Sequence, residues 1–390
     1  MKKIFLFESF KDISLQFVLI LLSIIGFITY INAVFHPFVH DDVVFIVKNP
    51  AIQELSFKSI FQQTISSDRD TSLINTYYRP LLEFFYRLGY QLFGFNPAGF
   101  HFINIFFHII NSFLVFILFN VLWKNQKGMA LAASIVFLTH PMQSEAVACI
   151  SGISNLVFAG LCLLSFILYL YSMETERQKR GETLWYYLLS LLIFALAVLA
   201  KEQAIVLPIL ILWYEVILGE NKNTNRRRIR FVRWAGFIFV VSFYFLLRKY
   251  VLGITMPNVF GSMPEFFLRM KAVPLTLLTY LGIIFFPLDL HYYRSVDILS
   301  PVLGAISILG FILLCVGYLI IRIPAPYKQR IIFGSGWFII AFGPTLNIVP
   351  LINEYSFILT AEHFLYLPFV GILIIAACLW NPVLKKKKKE

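Results

Sequence analysis

Of 390 residues, 59% are hydrophobic, only 14% are charged and 42 are Phe. A soluble domain carries roughly 25% charged residues, so this composition excludes an ordinary soluble domain and points to an all-α polytopic membrane protein. The net charge of +12 is read as a membrane-topology signal, and no nucleic-acid partner is expected.

In chain order, hydropathy predicts spans at 14–34, 101–123, 129–148, 152–172, 184–200, 203–219, 232–252, 299–321, 331–346 and 362–380. The first run is long and lacks a small-residue cleavage site, so it is expected to stay as a span. A further apolar segment, 266–287, is interrupted by Arg269, Lys271, Pro274 and Pro287. Basic residues gather in six clusters: Lys2 to Lys11, Lys124 and Lys127, Arg177 to Arg180, Lys222 to Arg233, Arg322 to Arg330, and the tail at 385–389. All six fall on one side only if 266–287 does not cross. The reading is therefore one domain over 1–390 with ten crossings, one re-entrant or interfacial segment, and both termini cytoplasmic. The stretch 385–390 is then a basic cytoplasmic tail. The four cysteines have no metal-ligand spacing and no disulfide is expected.

This orientation puts most acids on the outer face, among them Asp41, Asp42, Glu83, Glu145, Glu202 and Glu362. The largest outer segment is the first loop, 35–100, in which 81–93 reads as an amphipathic helix lying on the membrane, with Leu82, Phe85, Tyr86 and Leu88 apolar. Asp41 and Asp42 follow the first span directly. Two adjacent carboxylates cost too much to place in lipid, so they belong at the interface or in a wet cavity, where a membrane enzyme keeps an acid or base.

Five more polar strings share that predicted side. They are Tyr78-Arg79-Pro80-Leu81; His101 with Asn104, His108 and Asn111; His140-Pro141 with Ser144-Glu145; Lys201-Glu202; and Glu362-His363. Each has a plainer reading. The aspartates suit a solvated cap, and Tyr78 and Arg79 an interfacial anchor. The His and Asn residues suit interhelical hydrogen bonds, above all His108 and Asn111. Lys201 and Glu202 suit a local ion pair. Convergence of all the strings on one side favours a site.

On these motifs, with Asn49-Pro50, Phe93-Gly94-Phe95-Asn96-Pro97, Ala146-Val147 and Phe364-Leu365-Tyr366-Leu367-Pro368, the chain resembles the membrane half of the transmembrane and tetratricopeptide-repeat containing O-mannosyltransferases and their bacterial relatives. The resemblance runs over about residues 30–372 and rests on the order and spacing of the strings together. It implies a GT-C glycosyltransferase fold that uses a polyprenyl-phosphate sugar, with mannose expected, at the outer face of a bacterial inner membrane. It also implies inversion at the sugar. An Asp of the 41/42 pair would take the proton of a protein, glycan or lipid hydroxyl. Arg79, Lys201 and Arg294 would stabilise the departing phosphate, and Glu145, Glu202 and Glu362 would orient the basic groups or sugar hydroxyls. Tyr78, His101, His140 and His363 complete the expected substrate-binding set.

Two departures stand out. His363 occupies a place where the family usually has Arg, and neither a further span nor tetratricopeptide repeats follow 385–390. Paired carboxylates also suit a hard cation, but a donor with one phosphate needs less help, so no metal or other cofactor is expected. The alternatives are a non-catalytic polyprenyl-phosphate-binding relative and a lipid-linked sugar transporter. A transporter is expected to place charges at mid-membrane on broken, repeated helices, whereas here they gather at one face.

Overall fold

The computed structural model describes residues 13–62, 78–124, 126–178, 181–219, 224–252, 263–288, 290–291, 294–295, 308–310, 317, 323–346 and 359–387. The chain divides into two compact units: 1–208 with 223–253, and 209–222 with 254–390. Helices dominate both. Among the described residues, five helical stretches are long and apolar enough to cross a membrane: Leu15–Phe35, Pro97–Leu122, Ile150–Arg177, Thr183–Ala200 and Phe231–Val251. Apart from 308–310 and 317, the expected span 299–321 lies outside the described residues.

In the first unit, α1 (Leu15–Tyr30) starts where the Ser14 hydroxyl accepts the Phe17 N–H at 3.1 Å. α2 (Phe57–Gln62) and α3 (Pro80–Phe93) follow, the latter stopped by Gly94 at φ 60°. α4 (Pro97–Leu122) is capped by Asn96, with Pro97 at its first position. The expected span 129–148 is instead broken. α5 (Lys127–Thr139) ends at His140, because Pro141 has no N–H to continue the ladder and pushes the preceding residue to extended geometry. Short α6 (Ser144–Ala148) then leads to the longest buried element, α7 (Ile153–Arg177). α8 (Thr183–Ala200), α9 (Leu207–Ile217) and α10 (Thr224–Leu252) come next. The expected span 203–219 is likewise split, into a 3-10 turn at Glu202–Val206 and α9.

In its most apolar 18 residues Ile150–Arg177 is 89% buried and forms the axis of this unit, while the corresponding windows of Thr183–Ala200 and Phe231–Val251 are 28% and 17% buried. Their exposed Leu188, Leu192, Phe239 and Phe243 suit contact with lipid. Polar pairs stitch the axis to its neighbours. Ser165 and Ser190 each donate from Oγ to the other's carbonyl, at 2.8 and 2.7 Å. Asn111 Nδ2 donates to the Leu156 carbonyl at 2.8 Å, and His108 Nε2 lies 3.0 Å from the Leu138 carbonyl. These are the interhelical bonds expected of Asn111 and His108. At Gly160 an added Cβ would meet Asn111 Oδ1 at 2.2 Å, so only glycine lets α4 and α7 approach there.

In the second unit, the segment expected to be re-entrant or interfacial is one continuous helix, α11 (Met263–Phe285), with Pro274 inside it. A two-residue antiparallel pair, β1 (Arg294–Ser295) with β2 (Leu359–Thr360), sets Arg294 opposite Thr360. α12 (Ala325–Phe342) packs closely on α13 (Phe369–Lys387): a Cβ at Gly371 would stand 2.5 Å from the Gly334 carbonyl oxygen.

Candidate active site

The aspartate pair sits between two irregular pieces of backbone. His40 holds φ at 45°, the left-handed region that non-glycine residues rarely enter. Val43–Val47 then form a π-helical turn, a wider coil that recurs at functional sites. The two carboxylates live differently. Asp42 is fully buried; its Oδ1 accepts the Ser151 N–H at 2.7 Å and its Oδ2 the Val39 N–H at 3.2 Å. The Cys149 thiol lies 3.9 Å from the same Oδ1, and burial followed by the Asp42 charge pushes that thiol up to about 12. Asp41 is half-buried, and among the described residues its carboxylate makes no hydrogen bond.

α3 carries two Arg–Glu pairs. Arg79, at its N-terminus, grips Glu202 with two parallel bonds, Nε to Oε2 at 2.9 Å and Nη2 to Oε1. Burial acts to raise the Glu202 pKa, but the Arg79 guanidinium outweighs it and holds the group at about 2. Beside it, Lys201 ends α8 with its Nζ donating to Asn155 Oδ1 at 2.6 Å. Burial, then the Arg79 charge, lowers the Lys201 ammonium to about 7, with Glu202 and Glu145 opposing. The second pair, Glu83 and Arg87, lies one turn apart. Arg87 Nε donates to Glu83 Oε1 at 2.8 Å, Nη1 donates to the Glu54 carbonyl at 2.7 Å, and Ser59 Oγ is a further partner.

That second pair changes the reading of α3. A helix resting on the membrane keeps its charges toward water, whereas Glu83 and Arg87 are 5% and 1% exposed, buried alongside Leu82 and Tyr86. The i, i+4 pairing and the loop residues Glu54 and Ser59 replace solvent. Burial raises the Glu83 pKa even though Arg87 acts against it.

The other expected residues are placed as follows. Tyr78 is buried, its hydroxyl donating to the Phe61 carbonyl and its own carbonyl accepting from the Tyr244 hydroxyl, both at 3.2 Å. His101 is buried with Nε2 at 3.2 Å from the His36 carbonyl. His140 Nδ1 caps the turn that follows α5, accepting from the Met142 N–H at 3.4 Å. Glu145 is half-buried, and its charge reaches both Cys149 and Lys201. In the second unit, Glu362 is buried and accepts the His291 N–H at 2.8 Å, while His363 packs edge-on to Phe364. Arg294 lies on β1, across from Thr360.

The first unit thus gathers Asp41, Asp42, Arg79, Glu145, Lys201 and Glu202, with Tyr86 feeling the charges of Asp42, Asp41 and Arg79 together. Arg294, Glu362 and His363 belong to the second unit, where the backbone of β1 pairs with β2 two residues before Glu362. Asn155, Cys149, Ser151 and Tyr86 were not marked in the sequence. Asn155 and Tyr86 lie inside runs that read as span or membrane-surface helix, and Ser151 acts through its main chain, which has no side-chain signature. A cleft of about 270 Å³ is bounded by Asn32, His36, Thr139, Ser144 and Ala148 among others, and neither aspartate lines it. Among the described residues, no three His, Cys, Asp or Glu side chains converge as a metal site.

The helices and their long apolar stretches are consistent with an all-α polytopic membrane protein of the GT-C type. Residues 79–246 match the family described as dolichyl-phosphate-mannose-protein mannosyltransferase. Over 190 residues the chain is 34% identical to protein O-mannosyl-transferase TMTC4 of Mus musculus, covering 43% of this chain and 25% of that protein. With protein O-mannosyl-transferase Tmtc2 of Drosophila melanogaster it shares 30% identity over 215 residues, 53% of this chain and 22% of the relative. Protein O-mannosyl-transferase F38B6.6 of Caenorhabditis elegans is 26% identical over 398 residues, 96% of this chain and 52% of the relative. The chain spans from about a quarter to about half of the length of these relatives. Its resemblance to the protein O-mannosyltransferases, implied by the motifs, is shown by these matches.

Proposed function

We propose that the chain is an inverting glycosyltransferase that moves a mannosyl group from a polyprenyl-phosphate donor to an acceptor hydroxyl at the outer face of the membrane. One observation carries this reading. A carboxylate with no hydrogen bond among the described residues, Asp41, belongs to the same electrostatic cluster as Arg79 and Lys201. Arg79 and Lys201 lie inside the segment that matches the mannosyltransferase family. The relatives' names support a protein hydroxyl as acceptor. The distribution of basic residues supports cytoplasmic termini and a bacterial inner membrane remains the expected location.

In this mechanism the acceptor oxygen attacks the anomeric carbon from the face opposite the phosphate. Its proton passes to Asp41, the accessible carboxylate, which acts as general base. Asp42, held by two backbone N–H groups, fixes the turn that presents Asp41. The bond from the anomeric carbon to the phosphate oxygen breaks, and its electron pair leaves with the polyprenyl phosphate. Arg79 and Lys201 stabilise the charge that builds there. Glu202 keeps the Arg79 fork oriented, and Glu145 faces Lys201. No step calls on a metal.

The test is transfer from labelled polyprenyl-phosphate mannose to a short Ser- and Thr-rich peptide, and hydrolysis of the same donor, in detergent with EDTA. Wild type is expected to turn over, with Asp41→Asn slower by about a thousandfold, within the range of a lost general base. Asp42→Asn is expected to lower stability as well as turnover. Equal rates for wild type and Asp41→Asn would remove the proposed base.

A further inference from the structure

Tyr86 carries a hydroxyl that the mechanism above does not use. α3 lays its ring against the π-helical turn that follows the aspartates, stacked on Phe45 with centroids 6.4 Å apart and planes 16° from parallel. The side chain is buried at 1% exposure, and its oxygen has no hydrogen-bond partner among the described residues. Leaving a buried hydroxyl unpaired costs about 1–3 kcal/mol, so a phenylalanine would serve the fold at least as well. The surroundings are the reacting groups: Asp42, Asp41, Arg79 and Cys149 all act electrostatically on this phenol. Burial, then the two carboxylates, push its pKa well above the ordinary tyrosine value, so the group stays protonated and offers a proton without giving it up. Tyr86 also lies on the helix whose N-cap residue is Arg79.

We propose that the Tyr86 hydroxyl donates a hydrogen bond to an oxygen of the sugar held beside Asp41, which makes Tyr86 a sugar-binding residue of this site. The proposal rests on the glycosyltransferase reading. A sugar presents several hydroxyl and ring oxygens at the distance of the reacting carbon, whereas the phosphate is drawn to Arg79 and Lys201. The donor phenol therefore supplies the neutral contact that the charged residues do not.

The experiment compares full-length wild type and Tyr86→Phe for thermal stability, for hydrolysis of labelled polyprenyl-phosphate mannose, and for transfer to the Ser- and Thr-rich peptide. Tyr86→Phe keeps the stack on Phe45 and removes only the oxygen. An unchanged or higher Tm is expected, together with a kcat/KM about tenfold lower in hydrolysis and transfer alike, the effect of one neutral hydrogen bond. Loss of transfer with hydrolysis intact overturns the assignment to the sugar, because the hydroxyl would then serve the acceptor. A lower Tm, or unchanged kinetics beside an active wild type, overturns the proposal by itself. A wild type that neither hydrolyses nor transfers this donor overturns the donor reading, and this proposal with it.

Discussion

Two arginine–glutamate pairs share α3, and they divide the labour of the helix. Arg87 and Glu83 are neighbours one turn apart, and their spare bonds run to a loop carbonyl and a serine. That pair is turned inward and anchors the segment around Glu54 and Ser59. Arg79 finds its glutamate 123 residues away in sequence, beside a buried lysine, and stays 12% exposed. The local pair has used its charge to hold the fold together. The distant pair joins α3 to the end of α8, and Arg79 acts on Tyr86 together with the two aspartates. Identical chemistry thus ties a loop to its own helix in one place and joins two helices distant in sequence in the other.

The difference can be broken from either end. Arg87→Met is expected to have the largest effect, on stability alone. It strands the buried Glu83 carboxylate, and losing one partner of a buried pair costs about 3–5 kcal/mol. Thermal or denaturant unfolding in detergent reads this, while the turnover of the molecules that do fold stays at the wild-type value. The double change with Glu83→Gln should recover much of the loss; no recovery would mean that Arg87 acts through Glu54 and Ser59 instead.

Arg79→Lys comes next and reverses the pattern. Charge is kept but the two-pronged grip on Glu202 is lost. About thirtyfold in kcat/KM is expected, equivalent to ~2 kcal/mol for a charge-assisted hydrogen bond, with a small change in Tm. A stability loss matching that of Arg87→Met, with normal turnover, would erase the distinction between the pairs.

The remaining effect is on pH dependence. Lys201 is lowered to about 7, so its cation is present below that pH and is lost as pH rises through it. If the cation stabilises the departing phosphate, kcat/KM falls above about pH 7, by roughly tenfold per unit once the neutral form dominates. A flat profile from pH 6 to 9 would remove Lys201 from that role. The Glu202 pair gives the opposite sign on stability. A carboxylate held at about 2 supports the fold above its ordinary value, and that support fades as pH falls toward 2.

Much of this was legible in the residues, and what escaped did so for physical reasons. Long apolar runs declare helices, and Pro141 and the Lys201-Glu202 turn mark where they stop. The candidate Lys201–Glu202 ion pair is only part of the arrangement: the two charges attract each other, but each side chain also has a partner far away in sequence. Glu202 turned to Arg79 and Lys201 to Asn155. The burial of Glu83 and Arg87 was hidden because an i, i+4 charge pair looks the same on a wet surface and under a loop. The Asp42 partner was hidden because a main-chain N–H leaves no mark in composition. Order along the chain reveals which groups exist, and only folding decides which of them still have a lone pair or a proton to offer.

The π-helical turn at Val43–Val47 has one more consequence, for the tolerance of this loop to insertions and deletions. Such a turn holds one residue more than an α-helical turn would over the same rise. Removing a single residue there lets the coil close to ordinary geometry with little loss of bonding. Because the wider turn takes up its extra residue within itself, closing it keeps the backbone on either side in register. A one-residue deletion within this turn is therefore expected to be tolerated better than one in an α-helical stretch, which makes the turn the place where this loop can absorb a change in length.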